Sequence, residues 1–230
     1  MRQLFGFTGP LPNWPARFNV APTQNVPAVR LKTQAGSAGP DAALERELVA
    51  LRWGLVPYWA KDLSIGARMI NARAESLAEK PAFRAAFRAR RCLIPADSFY
   101  EWRKTPTGKQ PYRIGLDGGT PAEMPLFAFA GLWERWDKAG DGVPVESCTI
   151  VTTDANELLR PIHERMPVIL APADYAAWLD PATPLQVAYA LLKPYPAEAM
   201  TAYPISTRVN SVRNDDAGCI AVLAAEPSLL

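Results

Sequence analysis

The sequence predicts an α+β fold in which a mixed sheet curls into a barrel-like core with a few peripheral helices. Three observations carry this. Nine short runs of β-branched and aromatic residues, bounded by Gly, Pro or Asp, read as strands, against four segments that read as helices. The strand runs do not alternate with helices as βαβ units would. The 23 prolines punctuate the whole chain, which suits strands and irregular loops better than a helical bundle.

The elements follow in order. Residues 1–6 read as the back half of an amphipathic helix, with Leu4 and Phe5 on its apolar face and Gly6 at the C-terminal glycine position, but with no cap or first turn before it. Strands are predicted over 26–31 and 49–54, separated by a Gly/Ser/Ala-rich surface loop at 33–41. A helix over 81–90 has Pro81 in its first turn and pairs Phe83 with Phe87. Strands over 91–96, 98–102, 112–116, 126–133 and 147–152 come next. Asp154 reads as the cap of a helix over 154–160, with Glu157 three residues on. A strand over 167–170, helices over 173–179 and 184–192, and a strand over 200–204 complete the chain.

At 230 residues and 49% hydrophobic content, the chain is expected to form one domain over 1–230. Its apolar runs are too short for a membrane helix, and its first residues lack a secretory layout. Cys92, Cys148 and Cys219 are odd in number and widely spaced, so they read as reduced core thiols of a cytoplasmic protein. A single histidine and no CxxC pair leave no basis for a zinc site, and neither metal nor cofactor is expected. No Gly-rich phosphate loop, GxSxG, HExxH or DxD cluster appears, which argues against nucleotide hydrolysis, α/β-hydrolase chemistry and metalloproteolysis.

Charge is uneven. Net charge is +2, yet residues 61–113 hold 12 Lys/Arg against 5 Asp/Glu. Such a stretch could follow a phosphate backbone, or it could be a solvated Arg-rich face. Trp53, Trp59, Tyr100 and Trp102 lie in or beside it, and aromatics among cations suit a single strand whose bases stack on rings.

Three candidates could do chemistry. His163, the only histidine, falls in a loop beside Glu164 and Arg165; a group titrating near neutrality there suits proton transfer, or it is a hydrogen-bonded surface histidine. Glu101 stands among Phe99, Tyr100 and Trp102. Poor solvation would raise its pKa toward a general acid, although plain strand alternation explains the same pattern. Asn71 and Arg73 could share one face of an extended segment, offering an amide to orient a carbonyl and a guanidinium for phosphate, or they mark a turn into a helix.

Seven blocks, in order, carry a resemblance: Phe18-Asn19-Val20-Ala21-Pro22-Thr23, Arg52-Trp53-Gly54-Leu55-Val56-Pro57, Asn71-Ala72-Arg73-Ala74-Glu75, Arg91-Cys92-Leu93-Ile94-Pro95-Ala96-Asp97, Phe99-Tyr100-Glu101-Trp102, Phe129-Ala130-Gly131-Leu132-Trp133 and Ile162-His163-Glu164-Arg165-Met166-Pro167. With these the chain resembles the SOS-response-associated peptidase (SRAP) family of abasic-site processing proteins, from about Phe5 to Asn214. The resemblance implies an SRAP fold with a positive channel for single-stranded DNA. It also implies a covalent reaction between a ring-opened abasic aldehyde and an N-terminal cysteine, whose α-amine forms a Schiff base and whose thiol closes a thiazolidine. By position, Asn71 would orient the aldehyde-bearing terminus, Glu101 would exchange protons around the Schiff base, and His163 would act in sugar ring opening. Arg73 and Arg165 would hold flanking phosphates, while Trp59 and Trp102 would support or stack on DNA. The implied protein is a nucleoid-associated monomer.

The sequence departs from the family at its start. Family chains open Met-Cys-Gly-Arg; this one opens Met1-Arg2-Gln3. The expectation is that an upstream segment carrying the cysteine is missing, the alternative being a variant that binds DNA without crosslinking. Either way, this chain is expected to bind single-stranded DNA and form no crosslink that survives denaturation. A non-catalytic single-strand binder and a peptidase acting on other proteins remain the competing readings.

Overall fold

The computed structural model describes residues 1–32, 45–120, 123–138 and 142–223, so the loop expected at 33–41 lies outside the described residues. In chain order the elements are α1 (Arg2–Phe5), β1 (Phe7–Thr8), β2 (Asn25–Leu31), β3 (Arg46–Trp53), β4 (Asn71–Arg73), α2 (Arg84–Ala89), β5 (Arg91–Ala96), β6 (Ser98–Thr105), β7 (Gly108–Leu116) and β8 (Phe127–Trp136). They continue with β9 (Val145–Asp154), β10 (Arg165–Pro167), β11 (Ile169–Leu170), α3 (Tyr175–Leu179), α4 (Leu185–Ala190) and β12 (Met200–Pro204).

Five strands close into a barrel in the order β3-β2-β5-β8-β9. Four joints are antiparallel, and the ring closes through a parallel joint, Arg52 opposite Ser147 and Trp53 opposite Cys148. A closed ring with an odd number of strands cannot be antiparallel throughout, so a parallel seam is a geometric necessity. Residues alternate between two cores with the period of two that strands impose. Ala28, Cys92, Ile94, Phe129 and Ile150 fill one core, while Val29, Leu93, Ala128, Ala130 and Val151 face the other. Phe87 of α2, Tyr175 and Trp178 of α3 and Ala188 of α4 belong to the second core, so the helices cover the barrel's outer wall. Trp178 is fully buried with its indole N–H donating to Cys92 O, and truncating it to Ala would cost about 3–5 kcal/mol.

A second sheet, β12-β7-β6, is antiparallel and leans on the barrel through Phe99, whose ring meets Phe129 edge-on at 5.8 Å. The first residues form α1 as expected, ended by Gly6 in the left-handed conformation (φ 65°).

Two expectations change. Residues 155–160 form an irregular stretch ending in a turn at 157–160 rather than a helix. Asp154 is the last residue of β9, paired with Arg165, and Pro161 denies the next turn a donor. The strand expected at 167–170 divides at Val168, whose N–H bonds Val151 and whose carbonyl accepts from Ala130, so the chain passes from β9 to β8.

One close approach sets the site's floor. Beyond β3 the chain crosses itself at Gly54 and Gly66, where a Cβ on Gly54 would lie 2.6 Å from Gly66 O and one on Gly66 2.5 Å from Gly54 O. Gly54 also has φ 129°, which side chains rarely adopt. This crossing lets Leu55 N–H reach Met69 O and delivers β4 to its parallel place beside β9.

Candidate active site

Glu101 owes its position to β6. Strand alternation puts Phe99 and Glu101 on one face, and because Phe99 packs on the barrel, Glu101 points the same way. Tyr112, directly opposite on β7, carries the Arg103 guanidinium over its ring at 5.0 Å, walling that side of the carboxyl. Burial raises the Glu101 carboxyl above the usual carboxylate range, with His163 and the Trp102 backbone N–H each pulling partly the other way.

His163 is exposed in the turn ahead of β10. Its Nδ1 lies 3.1 Å from the Arg165 N–H, which donates to it, and 3.2 Å from Arg165 O. With Nδ1 as acceptor the ring proton is assigned to Nε2. With Nδ1 protonated, the Arg165 carbonyl accepts instead. Either form keeps a backbone partner, so Nε2 is left available to give or take a proton. The His163 charge therefore reaches the Glu101 carboxyl from the connection between β9 and β10, while Glu101 itself stands on the second sheet.

Asn71 and Arg73 share the exposed face of β4, with buried Ala72 between them. The Asn71 amide makes no hydrogen bond, and Arg73 no ion pair, among the described residues. Arg165 differs. Its Nη1 donates to Asp154 (2.7 Å), and its Nη2 to Glu75 (2.9 Å) and Thr152 O (2.9 Å). Together these place the Arg165 side chain beside the end of β4, while the backbone of Arg165 holds the His163 ring at Nδ1.

The two tryptophans part ways. Trp59 is 42% exposed in the turn after β3, beside Tyr58 at 59%. Trp102 lies on the face of β6 opposite Glu101 and donates from its indole N–H to Asn210 Oδ1 (2.7 Å). Tyr100, on that same face, donates to Phe18 O. All three cysteines are buried thiols, and burial pushes Cys92 and Cys148 far above the normal thiol range, so neither offers a thiolate.

A family model described as SOS response associated peptidase (SRAP) matches residues 2–212. The chain belongs to the SRAP family. Abasic site processing protein YoqW of Bacillus subtilis (strain 168) is 48% identical over 200 residues, spanning 86% of this chain and 82% of that one. Abasic site processing protein HMCES of Xenopus tropicalis is 34% identical over 225 residues, spanning 90% of this chain and 66% of that one. Two crystal structures share the fold. A Bacteroides thetaiotaomicron protein has TM-score 0.73 at 29% identity, covering 88% of this chain and 82% of that one. A Bordetella bronchiseptica protein has TM-score 0.71 at 27% identity, covering 90% and 94%. The SRAP resemblance drawn from the seven blocks is thus borne out, as is the fold it implied.

Sequence reasoning missed several residues in and around this candidate site. Glu75 stands inside the Asn71–Glu75 block, but its pairing with Arg165 needs two strands brought together by β9. Asp154 carried a local cap signal that concealed its role as an ion-pair partner. Asp215, whose carboxylate accepts from Phe18 N–H (2.6 Å) and Asn19 N–H (2.9 Å) and pairs with Arg17, gave no signal at all.

Proposed function

We propose that this SRAP protein binds single-stranded DNA at abasic sites, as a monomer in the cytoplasm at the nucleoid. In this reading Glu101 and His163 move the protons of covalent aldehyde chemistry. The Glu101–His163 pair carries the proposal: a carboxyl made weakly acidic by burial beside an imidazole with an uncommitted Nε2. The names of the relatives, abasic site processing proteins, support the substrate class.

The chemistry follows from general principles. An α-amine attacks an aldehyde once deprotonated, and with a pKa of roughly 8 it is the least costly amine to deprotonate near neutrality. The carbinolamine must then lose water, and a protonated Glu101 can supply that proton and take it back on reversal. His163 serves the sugar ring opening that exposes the aldehyde. Asn71, its amide uncommitted, orients the aldehyde-bearing terminus. Arg73 and Arg165 hold the phosphates on either side, Arg73 being the freer because Arg165 is bound to Glu75 and Asp154. Trp59 offers its exposed ring to a base, and Trp102 supports β6 from behind. An abasic site has no base to unstack, so an unpaired strand enters at little cost.

The nucleophile of this scheme is a cysteine next to the initiator Met, which this sequence does not contain; residue 2 is Arg. Cys92, Cys148 and Cys219 are buried and have no α-amine of their own to pair with. The test uses labelled single-stranded DNA with one abasic site. Fluorescence anisotropy is expected to show binding, stronger than to the matching duplex, while a denaturing gel shows no heat-stable shifted band. Absence of binding, or a stable band, would overturn the reading.

A further inference from the structure

We propose that Glu75 and Asp154 are positioning residues that act on His163 through Arg165. The inference rests on the reading of His163 as a proton-transfer group, but its test needs no DNA, so the two can fail separately.

The connection is continuous. Thr152 of β9 faces Arg73 of β4 on one side and Pro167 of β10 on the other. Arg165 reaches from β10 across β9, giving Nη2 to Glu75 just past β4 and to Thr152 O, and Nη1 to Asp154 at the end of β9. One guanidinium therefore fastens three adjacent chain segments. The guanidinium is joined covalently to the backbone of the same Arg165, whose peptide N–H donates to His163 Nδ1. His163 in turn is felt by Glu101. Two hydrogen bonds and the body of Arg165 thus connect Glu75 to His163.

Two observations favour positioning over plain stabilisation. The carboxylates are open to water, with side chains 51% exposed at Glu75 and 86% at Asp154, beside a cleft of about 310 Å³ lined also by Thr153 and Tyr189. Ion pairs so exposed add little to stability. The Arg165 side chain, by contrast, is only 18% exposed, and its Nε is buried with no partner. The guanidinium is held in an orientation that leaves one donor unmet, which makes sense if orientation is what matters. A planar fork can hold two carboxylates and a carbonyl at once, which a lysine point charge cannot do.

The single histidine makes the test clean. In nitrogen-15 NMR of the whole chain, the only imidazole is His163. Glu75→Gln removes the charge but keeps a polar group of the same shape. It is expected to move the His163 Nδ1 resonance and the Arg165 amide proton together, the latter upfield as its hydrogen bond to Nδ1 lengthens. The melting temperature should stay within about 3 °C of the parent, as for an exposed pair. Asp154→Asn, at a more exposed residue, reads the same clamp from its other end if Glu75→Gln does not fold. His163 and Arg165 resonances that stay in place in a folded variant would overturn the proposal. A shift confined to melting temperature would also overturn it, since that is what a structural ion pair alone would give.

Discussion

Glu101 of β6 lies within the field of His163, although one stands on the three-stranded sheet and the other on the connection between β9 and β10 of the barrel sheet. Neither group alone would be unusual. Their meeting means that the carboxyl, reluctant to ionise because it is half-buried, has a titratable neighbour within its field. Partial burial of a carboxylate that has no ion pair within bonding distance among the described residues costs stability, so Glu101 is expected to show a function–stability conflict.

Glu101→Gln tests that conflict. The folded pKa of Glu101 is raised, so both states hold the proton below the ordinary carboxylate value and nothing is lost there. As pH rises through the interval between the unfolded and folded values, the unfolded chain gives up its proton first and stability falls. The penalty is complete above the folded value. The amide variant escapes it. Thermal unfolding should give a melting temperature a few degrees above the parent at mildly alkaline pH and no gain at acid pH, while crosslinking by a cysteine-bearing form slows.

The two tryptophans should separate in binding assays. Trp59→Ala removes an exposed ring and should weaken single-strand binding by roughly 5- to 150-fold, equivalent to about 1–3 kcal/mol of stacking. Trp102→Phe removes the indole bond to Asn210 and should lower stability with little change in affinity. Arg73→Ala, by contrast, should reduce the salt dependence of binding by about 0.7 in the log–log slope, the signature of one lost phosphate contact.

Gly54→Ala should be among the most damaging single changes outside the core. The added methyl would lie 2.6 Å from Gly66 O at a backbone angle side chains rarely adopt. A loss of more than about 2 kcal/mol is expected by denaturant titration. Because the crossing delivers β4, DNA affinity should fall even where the protein remains folded.

Much of the fold was legible because its signals are local. β5 is bounded as expected at Arg91 and Ala96, and β12 at Met200 and Pro204, because aromatic and aliphatic runs there end at turn residues. The alternation of Phe99 and Glu101 against Tyr100 and Trp102 was legible for the same reason. The turn at 157–160 was not, since a cap-like Asp154 instead ends β9 and obeys a partner across the strand pair, Arg165. The burial of Glu101 was legible only as a possibility, because it depends on how one sheet leans on another. The Glu75–Arg165–Asp154 clamp was not legible at all, since three strands must assemble before its members meet.

Asp215→Ala should loosen the lacing behind β6, where the carboxylate holds Phe18 N–H, Asn19 N–H and Arg17. A cost of about 1–3 kcal/mol is expected, toward the lower end because the group is partly solvated. Burial alone would raise the Asp215 pKa, but the Phe18 N–H and Arg17 outweigh it and hold the carboxyl below the usual range. Its contribution is therefore present above the unfolded value and lost as pH falls through the folded one. Acid unfolding should begin at higher pH in the variant than in the parent.

The central claim is that Glu101 and His163 are the acid–base pair of covalent abasic-site chemistry. The most direct measurement is the rate at which a form of this chain opening Met-Cys-Gly-Arg becomes linked to abasic single-stranded DNA, followed on denaturing gels. The prediction is a heat-stable band whose formation slows by about 100-fold or more in Glu101→Gln and in His163→Ala. Equal rates in parent and variants, or no band from the cysteine-bearing parent, would contradict it.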